Sequence, residues 1–225
     1  MVWPVIKTIL VLTVIVYAVR MSNQVRKPSG RLGRAVVGRM NLSHASLTDW
    51  GLEHVRIEPS FTMLDVGCGG GRTIHVLAAR APNGRVYGID YSEASVEASR
   101  ETNQSAVAAG RVEIPQGSVS KLPFADAMFD LVTAVETHYY WPDLPNDARE
   151  IARVLKPGGT LVVIAEAYKG RWGWLFQLAM LPMRAKLMSA DEHRAWLETA
   201  GFTDVQVAEK RGRGWICVTG RQAAA

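Results

Sequence analysis

Residues 64–72 read LDVGCGGGR. Three glycines at alternate positions, Gly67, Gly69 and Gly71, follow an apolar run that ends in Asp65 and Val66. Glycine has the most backbone freedom to lose on folding, so chains concentrate it where a turn is tight or where a ligand must approach the backbone. A second apolar run, VYGID, ends in Asp90. An acid at the end of a strand can accept hydrogen bonds from a pair of ribose hydroxyls. A glycine turn with such an acid is the chemistry of a nucleotide site. The dinucleotide fingerprint asks for a third glycine where Arg72 stands, and the GK[ST] phosphate loop is absent. The pyrophosphate cradle is therefore imperfect, and a nucleoside without phosphates asks less of it.

Elements of alternating type must position these residues. FTMLDVG (61–67), RVYGID (85–90), VEIPQGS (112–118, broken), MFDLVTAVE (128–136) and TLVVIAEA (160–167) read as strands. RTIHVLAARA (72–81), residues 92–110 with Ser92 as N-cap, residues 144–156 stopped by Pro157–Gly159, and SADEHRAWLETAG (189–201) read as helices. DVQVAEKR (204–211) and GWICVTGR (214–221) close the chain as a hairpin. The expectation is an α/β fold: a Rossmann-like, seven-stranded, mostly parallel sheet with one antiparallel strand and helices on both faces. Ahead of it, residues 40–57 carry Leu42, Leu47, Trp50, Leu52 and Val55 at helical spacing, one or two helices packed on the domain.

Four stretches together resemble the class I S-adenosylmethionine-dependent methyltransferases, among them the ubiquinone/menaquinone-biosynthesis-like small-molecule group. They are LDVGCGGGR, VYGIDYSEASVEASR (86–100), GSVSKLPFADAMFDLVTAVETHYYWPD (117–143) and EIARVLKPGGTLVV (150–163); AGFTDVQV (200–207) continues the match. The resemblance implies S-adenosyl-L-methionine as cofactor and a methyltransferase activity. It implies that Gly67, Gly69 and Gly71 approach the methionine and ribose parts and that Asp65 shapes the loop. It places Asp90 on the ribose hydroxyls, Tyr91 against the adenine, Ser118 and Val119 at the adenine edge, and Glu136 toward the methionine end. Many members carry aspartate where this chain has Ser118, a departure at the exocyclic amine.

Methyl transfer from a sulfonium is an in-line displacement in which the protein chiefly supplies position and a dry site. A base is needed only where the acceptor must lose a proton that water does not readily take. His138 and Tyr139, just beyond the fourth strand, are catalytic candidates, as is His44 in MNLSHASLTDWGL. Each has a structural alternative: His138 as a loop hydrogen-bonder, Tyr139 with Tyr140 and Trp141 as an apolar wall, His44 as a helix residue.

The two cysteines, Cys68 and Cys217, form no thiolate cluster, and no metal site is expected. The net charge is +5, yet seven basic residues and no acid precede Asp49, so the remainder sums to −2. The excess base belongs to the leader, and no nucleic-acid partner is expected. Val2–Val19 is almost wholly apolar and as a helix would be roughly 27 Å long, near the bilayer's hydrocarbon thickness. The expectation is an N-terminal membrane helix over 1–20, a basic linker over 21–40 and a methyltransferase domain over 41–225, with the catalytic domain facing the cytoplasm. An apolar lid over 167–188, rich in Trp172, Trp174 and Phe176, is expected to cover the acceptor site and to touch the membrane. The reading is a membrane-anchored methyltransferase with a small lipophilic acceptor. Alternatives are a phospholipid-headgroup or protein methyltransferase, and a catalytically silent nucleotide-binding module.

Overall fold

The computed structural model describes residues 2–169, 178 and 180–224. The strands are β1 (Thr62–Val66), β2 (Arg85–Ile89), β3 (Val112–Glu113), β4 (Phe129–Val135), β5 (Leu155–Ala165), β6 (Phe202–Lys210) and β7 (Trp215–Gln222). They form one seven-stranded sheet in the order β3-β2-β1-β4-β5-β7-β6. β1 pairs in parallel with β2 and β4, whereas β7 runs antiparallel to both β5 and β6. The sheet expected from the alternation of elements is therefore present. The chain winds outward from β1 to β3, then returns to the other side with β4. That reversal leaves a crevice beyond the carboxyl ends of β1 and β4, where open α/β sheets bind ligands.

β1 is TMLDV, apolar on both faces because helices cover both faces. Successive side chains point to opposite sides of a strand. Leu64 and Val66 accordingly join a core with Phe129, Val132 and Trp196, while Met63 joins Ile74, Leu77 and Leu131 on the other side.

The helices are α1 (Val2–Arg26), α2 (Gly30–Ser43), α3 (Ala45–Gly51), α4 (Arg72–Arg80), α5 (Glu93–Thr102), α6 (Gln104–Ala108), α7 (Leu144–Val154) and α8 (Ala190–Thr199). Ser92 caps α5 by accepting from the Ser95 amide, and Ser189 with Glu192 forms a full capping box on α8. The helix expected over 92–110 is broken at Asn103. Its buried amide donates to the Gly71 and Ser99 carbonyls, which ties the break to the glycine turn. α7 stops at Val154, short of the expected 156, because Leu155 already pairs with Phe129 in the sheet.

The basic linker expected over 21–40 is corrected: α1 continues to Arg26 and α2 spans Gly30–Ser43. Gly33, which reads as a linker residue in sequence, is a packing site. A Cβ there would lie 2.7 Å from the Pro28 carbonyl carbon. α2 lies along α5, buries Val37, and sets Arg34 by Glu97 at 3.4 Å. Of the apolar set in 40–57, Leu47 and Leu52 are buried and Leu42 is exposed.

The segment expected to span a bilayer is helical, but among the described residues no helix is long and apolar enough to cross a membrane. α1 packs against α2 and against the turn Leu181–Met183. Trp172, Trp174 and Phe176 of the expected lid lie outside the described residues. Of the rest, Leu178 and Leu181 are exposed, and Met180 packs on the core.

Candidate functional site

A cavity of about 590 Å³ opens beyond the ends of β1 and β4. Its floor is the glycine turn. Gly67 sits at φ +71°, and a Cβ on it would meet the Thr137 hydroxyl at 2.1 Å. Gly69, at φ +50°, faces open space, with nothing within 4 Å of where a Cβ would stand. Gly67 thus makes room for Thr137, and at Gly69 the backbone is bare to whatever fills the cavity, which is the fit a nucleoside needs. Gly71 does not line the cavity. It starts α4 at φ +81°, and a Cβ there would strike Ser99 Oγ at 2.4 Å, so its part is to let α4 and α5 approach.

Asp90 is buried at the end of β2. Its carboxylate accepts from the Gly69 amide at 3.0 Å and the Ser92 amide at 2.8 Å. Burial pushes its pKa up, and these hydrogen bonds counter the rise. Each carboxylate oxygen accepts about two hydrogen bonds, so capacity remains for hydroxyls in the cavity. Asp65, at 2% exposure, takes a 2.7 Å hydrogen bond from the Thr133 hydroxyl. Burial pushes its pKa up to about 7; Thr133 opposes the rise and the Asp90 charge adds to it.

Tyr91, Ser118 and Val119 also line the cavity. The Tyr91 hydroxyl donates to the Arg26 carbonyl, and Lys27 sits 5.3 Å over its ring. The end of α1 therefore closes one side of the cavity, with Val25, Arg26 and Pro28 in its lining. Asn41 of α2 donates to the Gly70 carbonyl at 2.9 Å. Sequence reasoning missed these contacts because nothing in the composition of 21–40 marks a packed cap.

At the far end stand His44, Glu136, Tyr139 and Tyr140. Glu136 follows β4 in a left-handed conformation, φ +56°. It accepts from the Tyr139 hydroxyl at 2.7 Å and from the Glu166 amide. Burial raises its pKa, with His44 opposing. His44 Nε2 lies 3.9 Å from Glu136 and 4.0 Å from Glu166. Tyr139 is a donor here, not a base: burial and the Glu136 charge hold its hydroxyl well above the ordinary tyrosine range. Glu166 was missed, although it ends the strand beside β4 and the strand-end rule that found Asp90 reaches it too.

His138 is corrected. The turn His138–Tyr140 sends Tyr139 into the cavity and His138 into the core, fully buried and absent from the lining. His138 Nε2 lies 2.9 Å from His193 Nε2, and His193 Nδ1 lies 2.7 Å from the Ser189 carbonyl. The carbonyl can only accept, so His193 carries its proton on Nδ1 and its Nε2 is bare. His138 then donates from Nε2 and keeps a bare, unpartnered Nδ1. Burial and the neighbouring imidazole hold His138 neutral. It packs in the core, away from the cavity lining.

A doubly wound sheet with a bare glycine turn and a strand-end acid at its switch point defines a nucleoside-binding α/β domain. A family model described as a methyltransferase domain matches residues 64–163. A demethylmenaquinone methyltransferase of Bacillus cytotoxicus is 30% identical over 68% of this chain and 69% of its own length. Another of Desulfitobacterium hafniense is 29% identical over 60% of this chain, and the match spans 56% of that relative's length. The solved SAM-dependent methyltransferase of Aquifex aeolicus, 22% identical, aligns over 84% of this chain and 98% of its own with a TM-score of 0.67, which shows the fold. The chain belongs to the class I S-adenosylmethionine-dependent methyltransferases, in the ubiquinone/menaquinone-biosynthesis-like group.

Proposed function

We propose that the protein transfers a methyl group from S-adenosylmethionine to a small lipophilic acceptor. One observation carries this reading: a single cavity joins the glycine turn and Asp90 at one end to the aromatic and carboxylate wall of Tyr139, Tyr140 and Glu136 at the other. The cofactor supplies an electrophilic methyl on a sulfonium, so the chain's own work is placement. Asp90 holds the ribose hydroxyls. Gly67 and Gly69 admit the ribose and methionine parts. Val119 and Ser118 flank the adenine. Asp65 places negative charge beside the cationic methionine end, and the tyrosine rings offer π faces to a cation. Tyr140 and Arg184, which also line the cavity, would stand beside the acceptor.

Calorimetric titration with S-adenosylhomocysteine, with NAD as control, tests this. Binding of the first and none of the second is expected. The reverse result would move the protein to another nucleotide chemistry and dissolve these assignments.

We further propose that α1 brings the domain to the cytoplasmic face of a membrane. Ile6, Leu10, Leu12, Val16, Tyr17 and Val19 stand exposed along it, an apolar surface that water does not favour. Basic residues follow it immediately, as at headgroups. With α1 lying against the bilayer, the acceptor cavity would sit near lipid, because α1 ends in the cavity wall. Deleting residues 1–20 is expected to abolish flotation with anionic vesicles and to leave S-adenosylhomocysteine binding intact. Unchanged flotation would refute the membrane role.

A further inference from the structure

His44, Glu136 and Glu166 come from three separate places: the junction of α2 and α3, the residue after β4, and the residue after β5. Their ligand atoms all lie within 4.8 Å of one another. His44 Nε2 is 3.9 Å from Glu136 Oε2 and 4.0 Å from Glu166 Oε1. Neighbouring ligands of an octahedral dication stand about 3 Å apart and opposite ones about 4 Å apart. Shifts of an ångström or less therefore bring the three atoms around one ion. The Tyr139 hydroxyl and the Glu166 amide orient the Glu136 carboxylate and still leave lone pairs for a cation.

We propose that these three residues form a divalent-cation site beside the cavity, where His44 and Glu136 line its far end. Two carboxylates and one imidazole suit a cation of the magnesium–manganese kind, whose charge their own neutralises. Three protein ligands leave open positions for water and for an oxygen of the acceptor. The class of acceptor this selects is a hydroxyl compound, best with a second oxygen beside the first. Bound to the dication, the hydroxyl loses its proton to water. The oxygen then attacks the methyl carbon, the oxygen–carbon bond forms and the sulfur–carbon bond breaks. This acceptor chemistry rests on the methyltransferase reading. The cation site itself does not.

The test is titration of the full chain with Mn²⁺, followed by electron paramagnetic resonance. One saturable ion is expected. His44→Ala, Glu136→Gln and Glu166→Gln should each weaken it about tenfold or more. Glu53→Gln, an exposed carboxylate outside the cluster, should not change it. Glu166 is the less buried of the two acids, so its variant keeps the test decisive if Glu136→Gln fails to fold. Saturating S-adenosylhomocysteine should leave Mn²⁺ bound. Three results overturn the proposal: no saturable Mn²⁺, cluster variants that bind as the parent does, or mutual exclusion between Mn²⁺ and S-adenosylhomocysteine. Mutual exclusion would mean that the cluster receives the cofactor's ammonium. Loss of S-adenosylhomocysteine binding with Mn²⁺ intact would instead sink the methyltransferase reading and leave the cation site standing.

Discussion

Asp90→Ala is expected to lower affinity for S-adenosylhomocysteine by roughly two to four powers of ten. The carboxylate would accept two ribose hydroxyls, and hydrogen bonds to a charged group are worth about 1.5–3 kcal/mol each. Two of them make about 3–6 kcal/mol, at 1.4 kcal/mol per tenfold. The same carboxylate also ties down the Gly69 and Ser92 amides, so alanine loosens the floor of the cavity as well as the ligand contact. Asp90→Asn separates the two effects. It keeps an acceptor oxygen for one amide and loses the charge, so its affinity should fall between those of alanine and the parent. Calorimetry measures the affinities, and thermal unfolding checks that each variant folds. An alanine variant that folds and binds within about threefold of the parent would remove Asp90 from the ribose, and with it the central assignment of the site.

Asp90 was legible in the sequence for the reason that makes it work: it ends an apolar strand beside a glycine turn. Elements with strong periodicity were legible too. β1, β2, β4 and the second half of β5, Leu161–Ala165, are short apolar runs, and their order requires a parallel sheet with its switch point beside β1. Tertiary contacts decided what sequence hid. Gly33 reads as a linker glycine and is a helix-packing site against Pro28. Gly71 reads as a ligand-approach glycine and is a helix–helix approach at Ser99. In both, sequence shows that a side chain is forbidden and not what forbids it. His138 and Tyr139 are neighbours, and only the geometry of the turn after β4 decides which enters the cavity. The partner that draws His138 inward, His193, lies on α8, beyond any local pattern. Glu166 escaped because the strand-end argument reached Asp90 alone, and Glu136 came only from the resemblance.

Asp65→Asn is expected to stabilise the ligand-free protein at alkaline pH and to weaken its hold on the cofactor. Asp65 has a pKa of about 7 in the folded state against an ordinary value of 3.8, chiefly because it is buried. The sign follows from proton uptake. Between about pH 4 and 7 the folded protein keeps a proton on Asp65 that the unfolded chain has released. Stability therefore falls as pH rises through that window, and above 7 the loss stays constant. At 1.36 kcal/mol per unit, a shift of this size costs about 4 kcal/mol above pH 7. Asparagine never ionises, and its carbonyl can still accept from Thr133, so the variant escapes the cost. Its melting temperature should exceed the parent's at pH 8 and approach it near pH 4. In the proposed binding mode the acid faces a cation. A sulfonium and an ammonium beside Asp65 favour the ionised carboxylate and draw its pKa down on binding. Affinity for S-adenosylmethionine should therefore rise with pH toward 7 and level off above it, with protons released on binding at pH 6. Calorimetry in buffers of different ionisation enthalpy reads that release directly, and Asp65→Asn should abolish it. Binding that releases no proton at pH 6, or a variant no more stable than the parent at pH 8, would show that Asp65 is already ionised in the empty cavity.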